Sequence, residues 1–200
     1  MSPRSSVAEA ERTRARIVRA AVDEASRLGL EGLTLGTLAR RLGLSKAGLV
    51  GPFGSREQLL EAALEQSVKI FRAAVIEPSA DLPPGRHRLE RLITAWVDYL
   101  EDCPFPGGCF VTAASSELDG RPGPLRDRLR SMVTSSRERL AAEVAAAQAE
   151  LPSPHRPPEE VVTTLMGLSM AANQEIQLLD DPSAPARARE AMRHAVGLDR

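Results

Sequence analysis

The stretch of residues 34–53 constrains the fold of this chain most, because it predicts two short helices joined by a tight corner. Apolar residues recur at helical spacing in its first half, at Leu35, Leu38, Ala39 and Leu42. Gly43 then interrupts the pattern, and glycine adopts the left-handed backbone of a corner without steric cost. Ser45 is a good N-cap for a second helix, in which Leu49 and Phe53 take the inward positions.

Two short helices around a glycine turn make a helix-turn-helix, whose second helix can enter the major groove of DNA. A plain helical hairpin inside an all-α core has the same apolar pattern and stays open at this point. Charge favours DNA binding, since residues 1–60 carry 10 basic against 6 acidic side chains in a chain of formal net charge −1. A basic segment on an acidic body is typical of phosphate contacts at one end, with ordinary solvated arginines as the alternative.

Composition favours helix throughout, because Ala, Leu, Arg and Glu dominate and only 3% of the residues are aromatic. Extended runs of alternating β-branched or aromatic residues are missing from the sequence, so we expect no sheet. Breaks rich in proline and glycine separate the later helices, at residues 78–85, 103–109, 120–124 and 152–158. The pattern therefore predicts an all-α fold.

Targeting signals are not apparent in the sequence. The N-terminus is polar and leads into a charged helix, which does not fit a signal peptide. No apolar run approaches 18 residues, so we expect no membrane partner. The cysteines, Cys103 and Cys109, are too few for a secreted disulfide framework. We therefore expect a cytoplasmic protein.

Several N-terminal segments carry a family resemblance: Leu28-Gly-Leu-Glu-Gly-Leu-Thr34, Leu38-Ala39, Leu42-Gly-Leu-Ser-Lys46, Leu49, Phe53 and Ser55-Arg-Glu-Gln-Leu-Leu60. Together they resemble the DNA-binding domain of the TetR family of transcriptional regulators. The later segments Pro106-Gly-Gly-Cys-Phe110 and Asp119-Gly-Arg-Pro-Gly-Pro124 are similar to the regulatory domain of one subgroup. The resemblance implies a three-helix DNA-binding domain over residues 1–56 and a larger helical regulatory and dimerisation domain over residues 57–200.

The resemblance also implies which residues meet DNA. In such proteins the second helix of the motif reads bases, and its flanks hold phosphates. By position, Lys46 would lie at the groove and Arg56 would contact a phosphate, while Thr34 and Ser45 would add hydroxyl or backbone contacts. Helix capping and ordinary solvation are the alternatives for these four residues. The full predicted DNA-contact set is Thr34, Ser45, Lys46, Ala47, Gly48, Val50 and Arg56.

The second helix departs from the family pattern. Members usually carry an aromatic residue at the position of Val50, and often an aromatic residue and a histidine at Gly51 and Pro52. Pro52 cannot donate to the carbonyl of Gly48, and we expect it to push Gly51 out of helical geometry. We predict a recognition helix that is short, frayed after Val50 or distorted. Either DNA is read through Lys46, thymine-methyl contacts, backbone amides and DNA shape, or specific DNA binding is lost.

The resemblance further implies an effector pocket among the later helices, mostly apolar with a few polar groups. The candidate lining residues are Trp96, Tyr99, Phe105, Cys109, Phe110, Met132, Met166, Met170 and Asn173. Ordinary core packing is the alternative for each of them. The helix expected over residues 159–179 is too apolar to have only one covered face. We therefore predict that it forms a twofold four-helix interface together with the final helix, through Val161, Val162, Leu165, Leu168 and Ala172.

These observations predict a ligand-responsive repressor that binds a palindromic operator as a homodimer and is released by a small apolar effector. The expected partners are double-stranded DNA, that effector and a second copy, with no cofactor or metal. The alternative is a degenerate member that acts as a ligand-binding or thiol-sensing dimer, with weak or no specific DNA binding. We expect no enzymatic activity, because the histidines are scattered and no metal-ligand spacing, nucleophile elbow or phosphate loop is present.

Overall fold

The first helix is long and bends close to its C-terminal end. A computed structural model describes residues 3–152 and 155–198, with side chains from residue 7 onward. Helix α1 spans Pro3–Gly32. Gly29 interrupts its helical geometry with φ 74° and ψ 171°. Glycine adopts such positive φ values readily because it has no Cβ, so the chain turns here toward the next helix.

The predicted pair of short helices around a glycine corner is confirmed. Helix α2 spans Leu35–Leu42, and helix α3 spans Lys46–Val50. The hydroxyl of Thr34 accepts the amide of Thr37 at 3.1 Å and caps α2. Gly43 is left-handed, with φ 66° and ψ 31°, as a C-cap requires. The cap of α2 and the left-handed Gly43 therefore follow from residues close to them in sequence.

Helix α4 is followed directly by two turns with different hydrogen-bonding patterns. It spans Arg56–Phe71, and the hydroxyl of Ser55 caps it by accepting the amide of Gln58 at 3.1 Å. A π-helical turn follows at Arg72–Ile76, and a 3₁₀ turn follows at Glu77–Ser79. Proline within the second turn cannot continue an α-helix, so the chain leaves the helix here.

The remaining helices are α5 (Arg86–Glu101), α6 (Phe110–Leu118), α7 (Pro124–Gln148), α8 (Pro158–Leu179) and α9 (Ala184–Ala195). Across residues 3–152 and 155–198 no strand occurs, and the all-α prediction is confirmed. In the same part of the chain, no helix combines the length and apolar character needed to cross a bilayer.

The chain divides into two compact units, and each unit is built from two separate stretches of the sequence. The first unit contains the residues up to Lys69 together with Phe105–Leu129. Its core includes the fully buried side chains of Ile17, Leu33, Leu38, Leu49, Leu59, Leu64, Phe105 and Phe110. The second unit contains Ile70–Pro104 and the residues from Arg130. The division after residue 56 in the sequence analysis stays a prediction.

Helices α5, α8 and α9 pack together in the second unit. Arginines on α9 pair with carboxylates on α5, since Arg189 lies 2.7 Å from Asp98 and Arg193 pairs with Glu90. The core between these helices includes Leu89, Ile93, Val97, Val161, Leu165 and Met192. Helix α8 therefore has a face that is covered within one copy of the chain.

Candidate nucleic-acid interface

Helix α3 presents its first residues to solvent and buries only one side. Lys46, Ala47 and Gly48 are exposed, whereas Leu49 is completely buried and Val50 is half-buried. The hydroxyl of Ser45 accepts the amide of Gly48 at 3.0 Å, so this residue caps the helix. Lys46, Ala47 and Gly48 thus form the exposed part of α3, and Lys46 supplies its positive charge.

The side chain of Lys46 lies against the start of α2. A Cβ placed on Gly36 would be 3.6 Å from Cε of Lys46 and 3.9 Å from the hydroxyl oxygen of Thr34. The N-terminus of α2 carries the positive end of the helix dipole, and Lys46 adds a full charge beside it. Lys46 therefore lies beside the capped N-terminus of α2, close to Thr34. The phosphate contacts of Thr34, Ser45 and Lys46 stay predictions.

The guanidinium of Arg56 donates hydrogen bonds to backbone carbonyl groups just before α2. Its Nη2 donates to the carbonyl oxygen of Leu30 at 2.7 Å and to that of Leu33 at 3.1 Å. Its Nε also donates to the carbonyl oxygen of Leu33, at 3.4 Å. This residue therefore has a structural role that the sequence did not reveal. The predicted phosphate contact stays a prediction and would use the remaining Nη1 donors of an exposed guanidinium.

The expected distortion at the end of α3 is partly wrong. The helix does end at Val50, as predicted. Gly51, however, keeps helical dihedral angles, φ −45° and ψ −46°, and its amide donates to the carbonyl of Ala47 at 2.8 Å. A residue before proline is pushed from this region partly by its own Cβ, which glycine lacks. Gly51 thus allows one more helical hydrogen bond directly before Pro52.

The turn after α3 is held by a contact with α1. The guanidinium carbon of Arg14 lies 4.8 Å from the ring centroid of Phe53, and this ring is 8% exposed. Such cation–π contacts contribute about 0.5–2 kcal/mol, depending on solvent exposure. This contact was not predicted, because Arg14 and the ring of Phe53 are distant in sequence.

The nine predicted effector-pocket residues fall into different units. Phe105, Cys109 and Phe110 are buried in the first unit, within or beside α6. The second unit contains Trp96, Tyr99, Met132, Met166, Met170 and Asn173. Met170 is 46% exposed on α8, so its placement in a pocket is corrected: its position on the helix turns it away from the core of its own chain.

An aromatic cluster marks the candidate effector region in the second unit. The ring of Phe71 lies edge-on to both Trp96 and Tyr99, with centroid distances of 6.1 Å and 5.1 Å. Trp96 and Tyr99 are buried, whereas Phe71 is half-buried. Phe71 was not among the predicted pocket residues, because an apolar position in α4 is typical of ordinary core. Cys103 and Cys109 form no disulfide.

The predicted dimer residues require a correction. Val161, Val162, Leu165 and Ala172 are at most 2% exposed in a single copy of the chain, and Leu168 is half-buried. The four buried residues are already covered by this chain's own helices and are not available to a second copy, whereas Leu168 keeps part of its surface exposed. The exposed stripe of α8 carries instead Gly167, Met170, Ala171, Gln174 and Leu178. A helix that is apolar on two sides does not reveal which side faces inward.

The fold is shared with known regulators. A TetR-type regulator from Chloroflexus aurantiacus has a TM-score of 0.82 at 22% identity, covering 94% of each chain. A putative regulator from Saccharomonospora viridis, in complex with choline, has a TM-score of 0.75 at 18% identity and covers 92% of this chain and 95% of its own. AibR, in complex with isovaleryl coenzyme A and operator DNA, has a TM-score of 0.69 at 20% identity, with coverages of 91% and 97%.

Two family models match the sequence itself. One, described as bacterial regulatory proteins of the tetR family, matches residues 17–63 and includes α2 and α3. The other, described as a tetracyclin repressor-like C-terminal domain, matches residues 85–192. No curated protein is detectably similar in sequence. The matched ranges cover most of the chain and agree with the helix order, so this protein is a transcriptional regulator of the TetR family.

Proposed function

We propose that this protein represses transcription in the cytoplasm by binding a palindromic operator as a homodimer, and that a small apolar effector releases it. The observation that carries the proposal is the capped corner between α2 and α3, which exposes Lys46, Ala47 and Gly48 on one short helix. The related fold of AibR, a complex with operator DNA, supports the same use of this region.

The exposed surface of α3 favours DNA recognition with few side-chain hydrogen bonds. Ala47, Gly48, Gly51 and Pro52 are exposed and have no polar side-chain atoms, so Lys46 is the polar side chain of this surface. Small side chains allow the backbone to approach base edges closely, and Ala or Val methyl groups suit thymine methyls. We therefore propose that methyl contacts and DNA shape contribute more to sequence preference than bidentate hydrogen bonds do.

The proposal is tested by selecting bound duplexes from a random DNA library at low salt, followed by gel-shift titration of the enriched sequence. The expected result is an inverted repeat whose half-sites lie about one helical turn apart, or a multiple of it. Ala47→Glu, which puts a carboxylate on the reading surface, should abolish binding. Ala145→Glu on the exposed side of α7 should have no effect. No enriched sequence would contradict DNA recognition and favour a ligand-binding dimer.

Dimerisation is proposed to use the exposed stripe of α8. Met170 is 46% exposed and Leu178 is 69% exposed, and the small residues Gly167 and Ala171 belong to the same stripe. Small residues let two helices approach closely, while the larger apolar side chains lose water on contact. A twofold pairing of this stripe places two copies of α3 in a symmetric arrangement, as a palindromic operator requires.

The effector is proposed to bind near the aromatic cluster of the second unit. Phe71, Trp96 and Tyr99 supply apolar ring surface, and half-buried Met166 and Asn173 lie in the same unit. Native mass spectrometry of the purified protein would reveal a retained small molecule. Titration of that molecule should change the emission of Trp96, the single tryptophan of the chain. Saturable binding with unchanged emission would place the effector elsewhere.

A further inference from the structure

Residues 30–33, which comprise the last turn of α1 after Gly29 and the residue that follows it, have amides that need acceptors from outside the helix. Gly29 interrupts α1, so the amides of Leu30 and Glu31 begin a new turn and lack the usual helical acceptors. The carboxylate of Glu117 on α6 accepts both of them: Oε2 lies 2.6 Å from the Leu30 nitrogen, and Oε1 lies 2.7 Å from the Glu31 nitrogen. A residue 87 positions away thus caps this turn.

Arg56 holds the same segment through its carbonyl groups. It donates to the carbonyl oxygens of Leu30 and Leu33 at 2.7 Å and 3.1 Å. Leu30 is therefore held at its N–H by a carboxylate from α6 and at its C=O by a guanidinium from α4. The side chains of Leu30 and Leu33 are 5% and 0% exposed, so packing restrains the segment as well.

The surroundings of Glu117 support these two hydrogen bonds. Its side chain is 18% exposed, and the guanidinium of Arg121 lies 3.9 Å away. Arg121 also pairs with Glu31, which offsets the repulsion between the two carboxylates. Hydrogen bonds to a charged group contribute more than neutral ones, and bidentate pairs also fix direction. Gly29 fits here because a Cβ at that position would lie 2.8 Å from Oε2 of Glu117.

We propose that Glu117 is a positioning residue for DNA binding: its carboxylate holds residues 30–33 in the arrangement that places α2 and α3 for operator contact. This inference rests on the proposed DNA-binding function of the corner. The mechanical reason is that the held segment leads directly into Thr34, the N-cap of α2. Loss of the carboxylate releases two amides at the base of the helix-turn-helix, although Glu117 does not belong to it.

The central variant is Glu117→Gln, which keeps the shape of the side chain but replaces one acceptor oxygen with an NH2 group. This group is a donor and cannot accept a backbone N–H. We expect operator binding to weaken about tenfold, as for the loss of one charged hydrogen bond. The slope of affinity against salt concentration should stay at its wild-type value, because no phosphate contact is removed. Glu138→Gln, on the exposed side of α7, is the matched control and should bind like wild type. Operator affinity within twofold of wild type for Glu117→Gln would overturn the inference.

Amide exchange of the full chain without DNA tests the inference separately from operator binding. In Glu117→Gln, the amides of Leu30 and Glu31 should exchange faster, and the acceleration should extend through α2 while α8 is unchanged. Acceleration confined to Leu30 and Glu31 would show a local cap only and would overturn the inference, even if wild type selects no DNA. Should Glu117→Gln fail to fold, Glu117→Asp, which keeps the charge but is one methylene shorter, provides the same two measurements.

Discussion

The amide nitrogen of Gly107 donates a hydrogen bond to the hydroxyl oxygen of Ser26 at 3.2 Å, and this contact leaves no space for a side chain at position 107. A Cβ there would lie 1.9 Å from the carbonyl oxygen of Ser26 and 2.8 Å from the nitrogen of Arg27. Nearby, Phe105 is 2% exposed, and the guanidinium carbon of Arg19 lies 5.8 Å from its ring centroid. The loop before α6 therefore docks on the backbone of α1.

Gly107→Ala should destabilise the protein by about 3 kcal/mol, because the added methyl group meets backbone atoms that cannot rotate away. Calorimetry should show a clearly lower melting temperature. Gly120→Ala is the matched control, since a Cβ at that position has no atom within 4 Å. The docking geometry would be contradicted if both variants melted at the same temperature.

Lys46→Ala should weaken operator binding and reduce the slope of log affinity against log salt by about one, the amount for one lost phosphate contact. The other lysine of the chain, Lys69, is exposed near the end of α4, and Lys69→Ala provides the comparison. Fluorescence anisotropy at several salt concentrations measures both slopes. Equal slopes for the two variants would exclude the proposed phosphate contact of Lys46.

Substitutions at Ser45 separate helix capping from DNA contact. Ser45→Ala removes the acceptor of the Gly48 amide and should cost about 1 kcal/mol of stability, with weaker DNA binding. Ser45→Asp keeps an acceptor at the cap and suits the helix dipole, so its melting temperature should match wild type. Its added negative charge would repel the phosphates at the proposed contact, so DNA binding should be lost although the cap is kept. Wild-type DNA affinity in Ser45→Asp would place this residue away from the duplex.

Ala171→Glu should dissociate the dimer, because it buries an unpaired carboxylate in the middle of the exposed stripe of α8. Analytical ultracentrifugation of the variant should show a monomer at concentrations where wild type is dimeric. Ala145→Glu on α7 makes the same change on an exposed helix and should remain dimeric. A dimeric Ala171→Glu would move the interface to another surface.

The stability of the protein should depend on pH at strongly acidic pH, because of Asp181 in the loop between α8 and α9. Hydrogen bonds from Arg187 and then from Ser183 lower the pKa of Asp181 from 3.8 to about 2. A lowered pKa in the folded state stabilises the protein above pH 3.8, and this contribution disappears as the pH falls toward 2. Asp181→Asn should therefore melt below wild type at pH 6, and the difference should shrink between pH 4 and pH 2.

Melting curves at closely spaced pH values measure this convergence. Asp81→Asn, a change at an exposed aspartate of the second unit, is the control for removing a carboxylate. A difference between Asp181→Asn and wild type that stays constant down to pH 2 would contradict the bound geometry, in which Arg187 lies 2.8 Å from Oδ2 of Asp181.

Features that depend on neighbouring residues were predictable from the sequence. Thr34 and Ser45 cap helices, and Gly43 is left-handed, because the hydrogen bonds and dihedral angles concerned lie within a few residues. The all-α fold follows from helix-favouring composition and regular apolar spacing in the same way. Local chemistry also explains why α3 ends at Val50.

Features that depend on distant residues were not predictable in this way. Glu117 and Leu30 are separated by 87 positions, and no periodicity relates them. The covered side of α8 depends on which helices pack against it, so Val161 and Leu165 were assigned to the wrong partner. Phe71 joins Trp96 only in the folded chain. In each case the apolar or charged character was visible, but the partner was not.

The π-helical turn at Arg72–Ile76 makes this part of the chain sensitive to length. Removing or adding one residue in a helix rotates every later side chain by about 100° relative to those before it. Val75 lies within this turn and is 2% exposed. The direction of its side chain, and so its burial, depends on the π-helical geometry of the turn. A single-residue deletion here would allow regular α-helical winding and yet misdirect the following side chains. Substitutions should therefore be tolerated in this turn far better than any change in the number of its residues.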